Sequence, residues 1–321
     1  MPAADKTANR RDFHLKGRCD MGMKRVTGRP WATCTLAATV VLCAAASVIG
    51  SGTASKSGPA SAAQKATVLE YKMAEGRVLR YQLTSSTKEV ADVMGQTTEA
   101  QSKTKSDYSF RAKGRKEANY LLGVTVNDME TAVSSAQGNL SPDMSPVKGK
   151  TFDMVLSPLG AEVDVSGAEA ITFDVQGSTR NIAAGFKMFF PDMPGRPVKV
   201  GDSWPSNQTI EEKSSTMTIT YTMEGVNTLE GFETIEGLPC ARISSKFTGS
   251  MSGSGQVRGM DMTLTATIKG TDLIYFALRE GTYVQSTSDM VREITATLSG
   301  PQNLTIPSTQ TSTMEVKLVS R

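Results

Sequence analysis

Three groups of residues in this 321-residue chain have the types and spacings for chemistry. A serine lies three residues before a lysine at Ser85/Lys88, Ser102/Lys105 and Ser145/Lys148, the spacing of the Ser–Lys pair in penicillin-binding enzymes. Met251, Met260 and Met262 bring thioethers into one stretch, and thioethers hold Cu(I). Glu211 with Glu212, and Asp261 with Glu280, are carboxylate pairs, and glycoside hydrolysis needs only two carboxylates. Each group also has a plainer reading. S-x-x-K arises by chance in a chain rich in Ser and Lys, and the companion S-D-N and K-T-G motifs are absent. Methionine at alternating strand positions fills irregular core gaps. Neighbouring carboxylates on a strand point to opposite faces. No catalytic, cofactor-binding or metal-ligating residue is therefore assigned, and the chain is expected to be non-enzymatic and free of cofactors.

What is missing supports that expectation. The single histidine, His14, lies in the first 63 residues, as do Cys19, Cys34 and Cys43. If that stretch is a leader, the body keeps Cys240 alone. Ser-His-Asp and Cys-His catalysis then have no base, and a His/Cys zinc site lacks its ligands. No intramolecular disulfide can form, and Cys240, in GLPCARI, reads as a buried thiol opening a strand. There is no P-loop lysine in a glycine-rich turn.

Residues 1–63 do read as a leader. They carry nine Lys/Arg and three Asp, a net +6, which leaves 26 basic and 29 acidic residues, or −3, for the remainder. A basic region (MKRVTGR from Met23) precedes the apolar run Trp31–Ile49, and small residues follow at ASAA, 60–63. That order is the order of a secretory signal. The run is also just long enough for a retained membrane anchor, which is the alternative. Lipidation is disfavoured, because Leu42 precedes Cys43 and Thr33 precedes Cys34 where a small residue is wanted. A mildly acidic body with 6% aromatics lacks the clustered positive face of a nucleic-acid binder.

From Thr67 onward, apolar and polar residues alternate with period two, the signature of strands with one buried face. Leu79, Tyr81 and Leu83 share a face, as do Tyr108, Phe110 and Ala112, and Tyr120, Leu122, Val124 and Val126. The second half repeats the scheme in Met217–Met223, Met260–Ile268, Ile294–Leu298 and Met314–Leu318, with Thr-rich opposite faces that suit exposed antiparallel strands. Turn signals fall at GSGQ, KGTD, REGT and SGPQN. One segment departs from this. In STRNIAAGFKMFFP, Ile182, Phe186, Phe189 and Phe190 recur at i, i+4, i+7 and i+8, which predicts an amphipathic helix over 178–191 with Ser178 as N-cap and Pro191 as its stop. The expected class is mainly β, with antiparallel meanders in one or two curved, half-barrel-like sheets packed on that helix. The expected organisation is a leader over 1–63, a β-rich half over 66–176, the helix, and a β meander over 198–321.

The run KGTDLIYFALREGTYVQSTSDMVREITATL and the element VKVGDSWP resemble a pattern in bacterial exported β-rich proteins of uncharacterised function, over about residues 70–321. That group commonly has Asp after the Tyr-Phe pair, where this chain has Ala277. More distantly, the plan is similar to the half-barrel of bacterial lipoprotein carriers, which implies a curved sheet that holds acyl chains. The resulting reading is an exported envelope protein, in the periplasm or at the cell surface, that binds an apolar small molecule or a lipidated partner. Ile182, Phe186, Phe189 and Phe190 would line or plug its cavity. A structural or interaction module of the envelope is the alternative, in which the same four residues complete the core. A carboxylate-dependent hydrolase comes third.

Overall fold

A computed structural model describes residues 66–175, 177–257, 259–300 and 303–321. The leader expected over 1–63, with its Trp31–Ile49 run, lies outside them. The alternating segments form strands: β1 (Val78–Val93), β2 (Gln96–Lys116), β3 (Asn119–Ser135), β4 (Gly138–Leu140), β5 (Thr151–Leu156), β6 (Glu162–Asp164), β7 (Thr172–Val175), β8 (Ser178–Asn181), β9 (Ser203–Lys213), β10 (Met217–Ile235), β11 (Leu238–Val257), β12 (Met260–Ala277), β13 (Thr282–Ser299) and β14 (Leu304–Ser320). They make one large antiparallel sheet in the order β6-β5-β3-β2-β1-β14-β13-β12-β11-β10-β9, with β4 on β3 and a separate β7–β8 hairpin. The sheet does not close into a barrel, since β6 and β9 remain as its two edges.

Two meanders of neighbouring strands make up this sheet. They are joined where β1 pairs with β14, from Arg80↔Ser320 to Ala91↔Ser308. The strands are long: β2 has 21 residues, about 70 Å at strand rise. The predicted inward residues point inward. Leu79, Tyr81, Phe110, Leu122 and Val124 are buried in one core with Ile243, Ile274, Phe276, Val316 and Leu318 from the other meander.

The predicted helix over 178–191 does not form. Ser178–Asn181 is instead strand β8, paired with Thr172–Val175, and only Ala183–Phe186 takes a short 3-10 turn. Physical chemistry accounts for this. Ser, Thr and Asn side chains compete with the helix for backbone and local partners. Here Ser178 shares a hydroxyl hydrogen bond with Thr216 at 2.9 Å, Thr179 donates to Asp174 at 2.6 Å, and the Asn181 side chain accepts from the Ala183 N–H at 3.0 Å. Gly185 further weakens a helix at its centre. Two of the expected turns also lie inside strands. GSGQ is within β11, and KGTD is within β12. Gly270 of KGTD is needed for a close approach, because a Cβ there would lie 2.4 Å from the Phe247 ring and 2.5 Å from the Asp289 carbonyl.

Candidate functional site

The four residues predicted to line a cavity are all buried, carried by a turn and the extended segment that follows it. Phe186 packs edge-on against Tyr108 and Phe152, with ring centroids 4.9 Å away in each case. Phe189 lies 4.9 Å from Phe110 and 5.4 Å from Tyr81, and Phe190 lies 5.1 Å from Phe110. Aromatic pairs at these separations add to their area burial. The segment Phe189–Met193 then runs as a strap between the two sheet edges.

On the β6 side, the Phe190 N–H donates to Glu162 Oε1 at 2.8 Å, the Met193 N–H to the Leu159 carbonyl at 2.7 Å, and the Tyr71 hydroxyl to the Pro191 carbonyl at 3.0 Å. On the β9 side, the Trp204 indole N–H donates to the Asp192 carbonyl at 3.1 Å. The Asp192 carboxylate accepts from Ser206 at 3.1 Å and Gln208 at 3.4 Å. Burial, with the Asp192 charge nearby, pushes the Glu162 carboxyl up to about 8, against the pull of the Phe190 N–H bond. Burial raises Asp192 as well.

Under the strap is a partly open cavity of about 230 Å³. Ile182, Phe189 and Phe190 line it; Phe186 does not. The sheet's concave face supplies the other walls. Toward the aromatic core these are Leu83, Ile274, Met314 and Val316. Farther along the strands the lining becomes charged, with Arg292 on β13, Arg180 on β8 and Glu212 on β9.

Arg292 is 1% exposed and is held from behind. It donates to Gln310 Oε1 at 3.2 Å, and Gln310 donates to Glu89 Oε2 at 3.2 Å, a relay across the adjacent strands β13, β14 and β1 at one register. Burial raises Glu212, and Arg180 and Arg292 pull it back down. In a flat sheet β13 and β9, four strands apart in the order, would be about 19 Å apart. Their mutual influence reflects the curl of the sheet.

The buried tyrosine hydroxyls divide by environment. Tyr81 donates to the Tyr283 carbonyl at 2.7 Å, Tyr120 to the Tyr71 carbonyl at 2.8 Å, and Tyr283 shares a hydrogen bond with Ser286. Tyr221 is 7% exposed and faces the cavity with its hydroxyl unpartnered, and burial raises it strongly. The Ser106 hydroxyl, also on the lining, is likewise buried without a partner.

The chemical groups singled out from sequence fare less well. Ser85 and Ser102 point inward, and Ser85 lines the cavity, but three residues on along a strand is the opposite face. Lys88 accordingly pairs with Glu99 outside, at 3.0 Å. Ser145 donates to Asp143, and Lys148 pairs with Asp128 at 2.6 Å. Met251 and Met262 are buried but sit about four residues apart in register, roughly 14 Å. Among the described residues no cluster of His, Cys, Asp and Glu could hold a metal. Asp261 and Glu280 lie near opposite ends of β12, and Glu211 faces solvent while Glu212 faces the cavity. Cys240 is buried, and burial pushes its thiol up to about 11. The residues that sequence reasoning missed are Arg292, Tyr221, Arg180 and Asp192. The alternation of Met217–Met223 places Tyr221 on the inward face but does not show that its hydroxyl lacks a partner, Asp192 lies on the strap outside any strand, and Arg180 and Arg292 stand in stretches where period two does not mark an inward face.

No family model matches the chain, and no curated protein matches it. Among solved structures it is similar to OccK5 (OpdH) of Pseudomonas aeruginosa at 7% identity and a TM-score of 0.27, covering 78% of this chain and 100% of that one. It is similar to a protein described as exported, with a YmcC-like fold, from Bacteroides fragilis at 10% identity and a TM-score of 0.22, covering 75% and 96%. An outer-membrane channel from Pseudomonas putida stands at 8% identity and a TM-score of 0.23, covering 77% and 97%.

Proposed function

We propose that this chain is an exported, non-enzymatic protein of the bacterial envelope whose curled sheet receives an apolar small molecule or the lipid chain of a partner. The cavity of about 230 Å³ between the concave face and the strap carries this reading. It exceeds the roughly 150 Å³ in which an apolar cavity holds benzene, and falls below the roughly 300 Å³ at which drug-sized pockets begin. The occupant is therefore one short chain or ring. The leader pattern supports export, and residues 66–321 supply no histidine.

A structural or interaction module is the second reading. The observation that favours it is the complete burial of Phe186 within the aromatic core, away from the cavity. Native mass spectrometry of protein purified from its producing cells without detergent separates the two. The carrier reading expects a chain starting near residue 63 or 64 with a few hundred daltons that leave on denaturation. The bare polypeptide mass assigns the fold to a structural role.

A further inference from the structure

Resting on the carrier reading, we infer that the occupant is a single-chain amphiphile with an oxyanion head, a carboxylate or a phosphate monoester, its head at Tyr221 and Arg292 and its tail under Phe189 and Phe190. Phe189, Phe190, Met314 and Val316 wall one part of the cavity, with Ser286 and Ser288 beside them, and Arg180, Glu212, Tyr221 and Arg292 line it farther along the strands. A purely apolar ligand would leave the buried Tyr221 hydroxyl without a partner, and a purely polar one would waste the aromatic wall.

Three observations set the sign of the head. First, Arg292 is fully buried and oriented by the relay through Gln310 to Glu89, so a guanidinium is built into the wall rather than swung out to water. An arginine in that setting presents a fork matched to carboxylate and phosphate. Second, the Tyr221 hydroxyl faces the cavity without a partner. The other buried tyrosines with assigned bonds are satisfied within the protein. A buried donor left unmade is costly, and a ligand oxygen would satisfy it.

Third, the lining carboxylates are accounted for. Asp192 is engaged by Ser206 and Gln208, and Asp272 accepts from Ser288 at 2.6 Å. Glu212 lies in the field of both arginines, where it serves as the internal counterion that a ligand oxyanion displaces. Burial, which favours its protonated form, eases that displacement.

The test compares four ten-carbon probes by isothermal calorimetry: decanoate, decyl phosphate, decanol and decyltrimethylammonium. An oxyanion site binds decanoate or decyl phosphate at least tenfold tighter than the neutral and cationic probes, and the tighter of the two identifies the head. Shortening the winning chain weakens binding roughly fourfold per methylene removed. Tyr221→Phe, which removes an unpartnered hydroxyl and keeps the ring, weakens the anionic probe about tenfold and decanol less, since a neutral hydroxyl accepts the weaker hydrogen bond. Glu212→Gln strengthens the anionic probe several-fold by removing the competing carboxylate. Equal affinity for decanol and decanoate, or preference for the cation, overturns the head assignment while the cavity reading stands. Binding of none of the four overturns both.

Discussion

Glu162 shows how one residue ties a sheet edge to the strap. It stands on the short edge strand β6 and turns its carboxyl to the Phe190 N–H. Burial holds that carboxyl up to about 8, whereas an unfolded chain ionises it near 4.3. Between those values the folded protein keeps a proton that the unfolded chain releases. Stability from this group is therefore fully present below about pH 4 and declines as pH rises toward 8, by on the order of 5 kcal/mol. Asp192, also raised, acts in the same direction. Urea midpoints of the wild type should fall from pH 4.5 to pH 8.5, and Glu162→Gln, whose amide oxygen can still accept from Phe190, should flatten that slope. Parallel slopes in the two proteins would assign the decline to other groups.

At the scale of elements, the strap decides both stability and access. Phe186 and Phe189 are three residues apart but face different surroundings: Phe186 meets Tyr108 and Phe152 in the core, and Phe189 also walls the cavity. Phe186→Ala should cost about 3–5 kcal/mol in equilibrium unfolding and leave probe binding by the folded protein unchanged. Phe189→Ala should change both. A loss below about 1 kcal/mol for Phe186→Ala would show that the core is not closed there. The sequence made the burial of these residues legible but not their conformation. A set at i, i+4, i+7 and i+8 fits a helix, and here the β7–β8 hairpin, one 3-10 turn and an extended strap bury the same set. The strands were legible wherever one face was apolar, as in Leu79–Tyr81 and Val316–Leu318. They were not legible across Ser102, Thr104 and Ser106, or across Ser286, Ser288 and Arg292, where the inward face is itself polar and period two loses its contrast. The candidate site lies in that stretch, so its aromatic end could be read and its charged end could not.

At the scale of the molecule, two meanders joined at β1–β14 could behave as two folding units or as one. The seam pairs residues more than 200 positions apart, such as Leu83 with Val316, so it forms only after a long loop has closed. The core argues for a single unit. Tyr81 of the first meander stacks on Tyr283 of the second at 5.6 Å and donates to its carbonyl, and Tyr71 meets Phe276 at 5.1 Å. The strap adds a second link, from Glu162 at one edge to Trp204 and Ser206 at the other. Neither meander can keep its inner face dry without the other. Trp204, on edge strand β9 and the only tryptophan among the described residues, reports on the strand farthest from β6 in the sheet order. Its fluorescence and far-ultraviolet circular dichroism should trace one coincident urea transition, with refolding in the millisecond-to-second range of non-local β folds or slower. Two separated transitions would instead make each meander a stable unit and reduce the seam to a docking contact. In that case the cavity, whose walls come from both meanders and the strap, would open whenever the contact did.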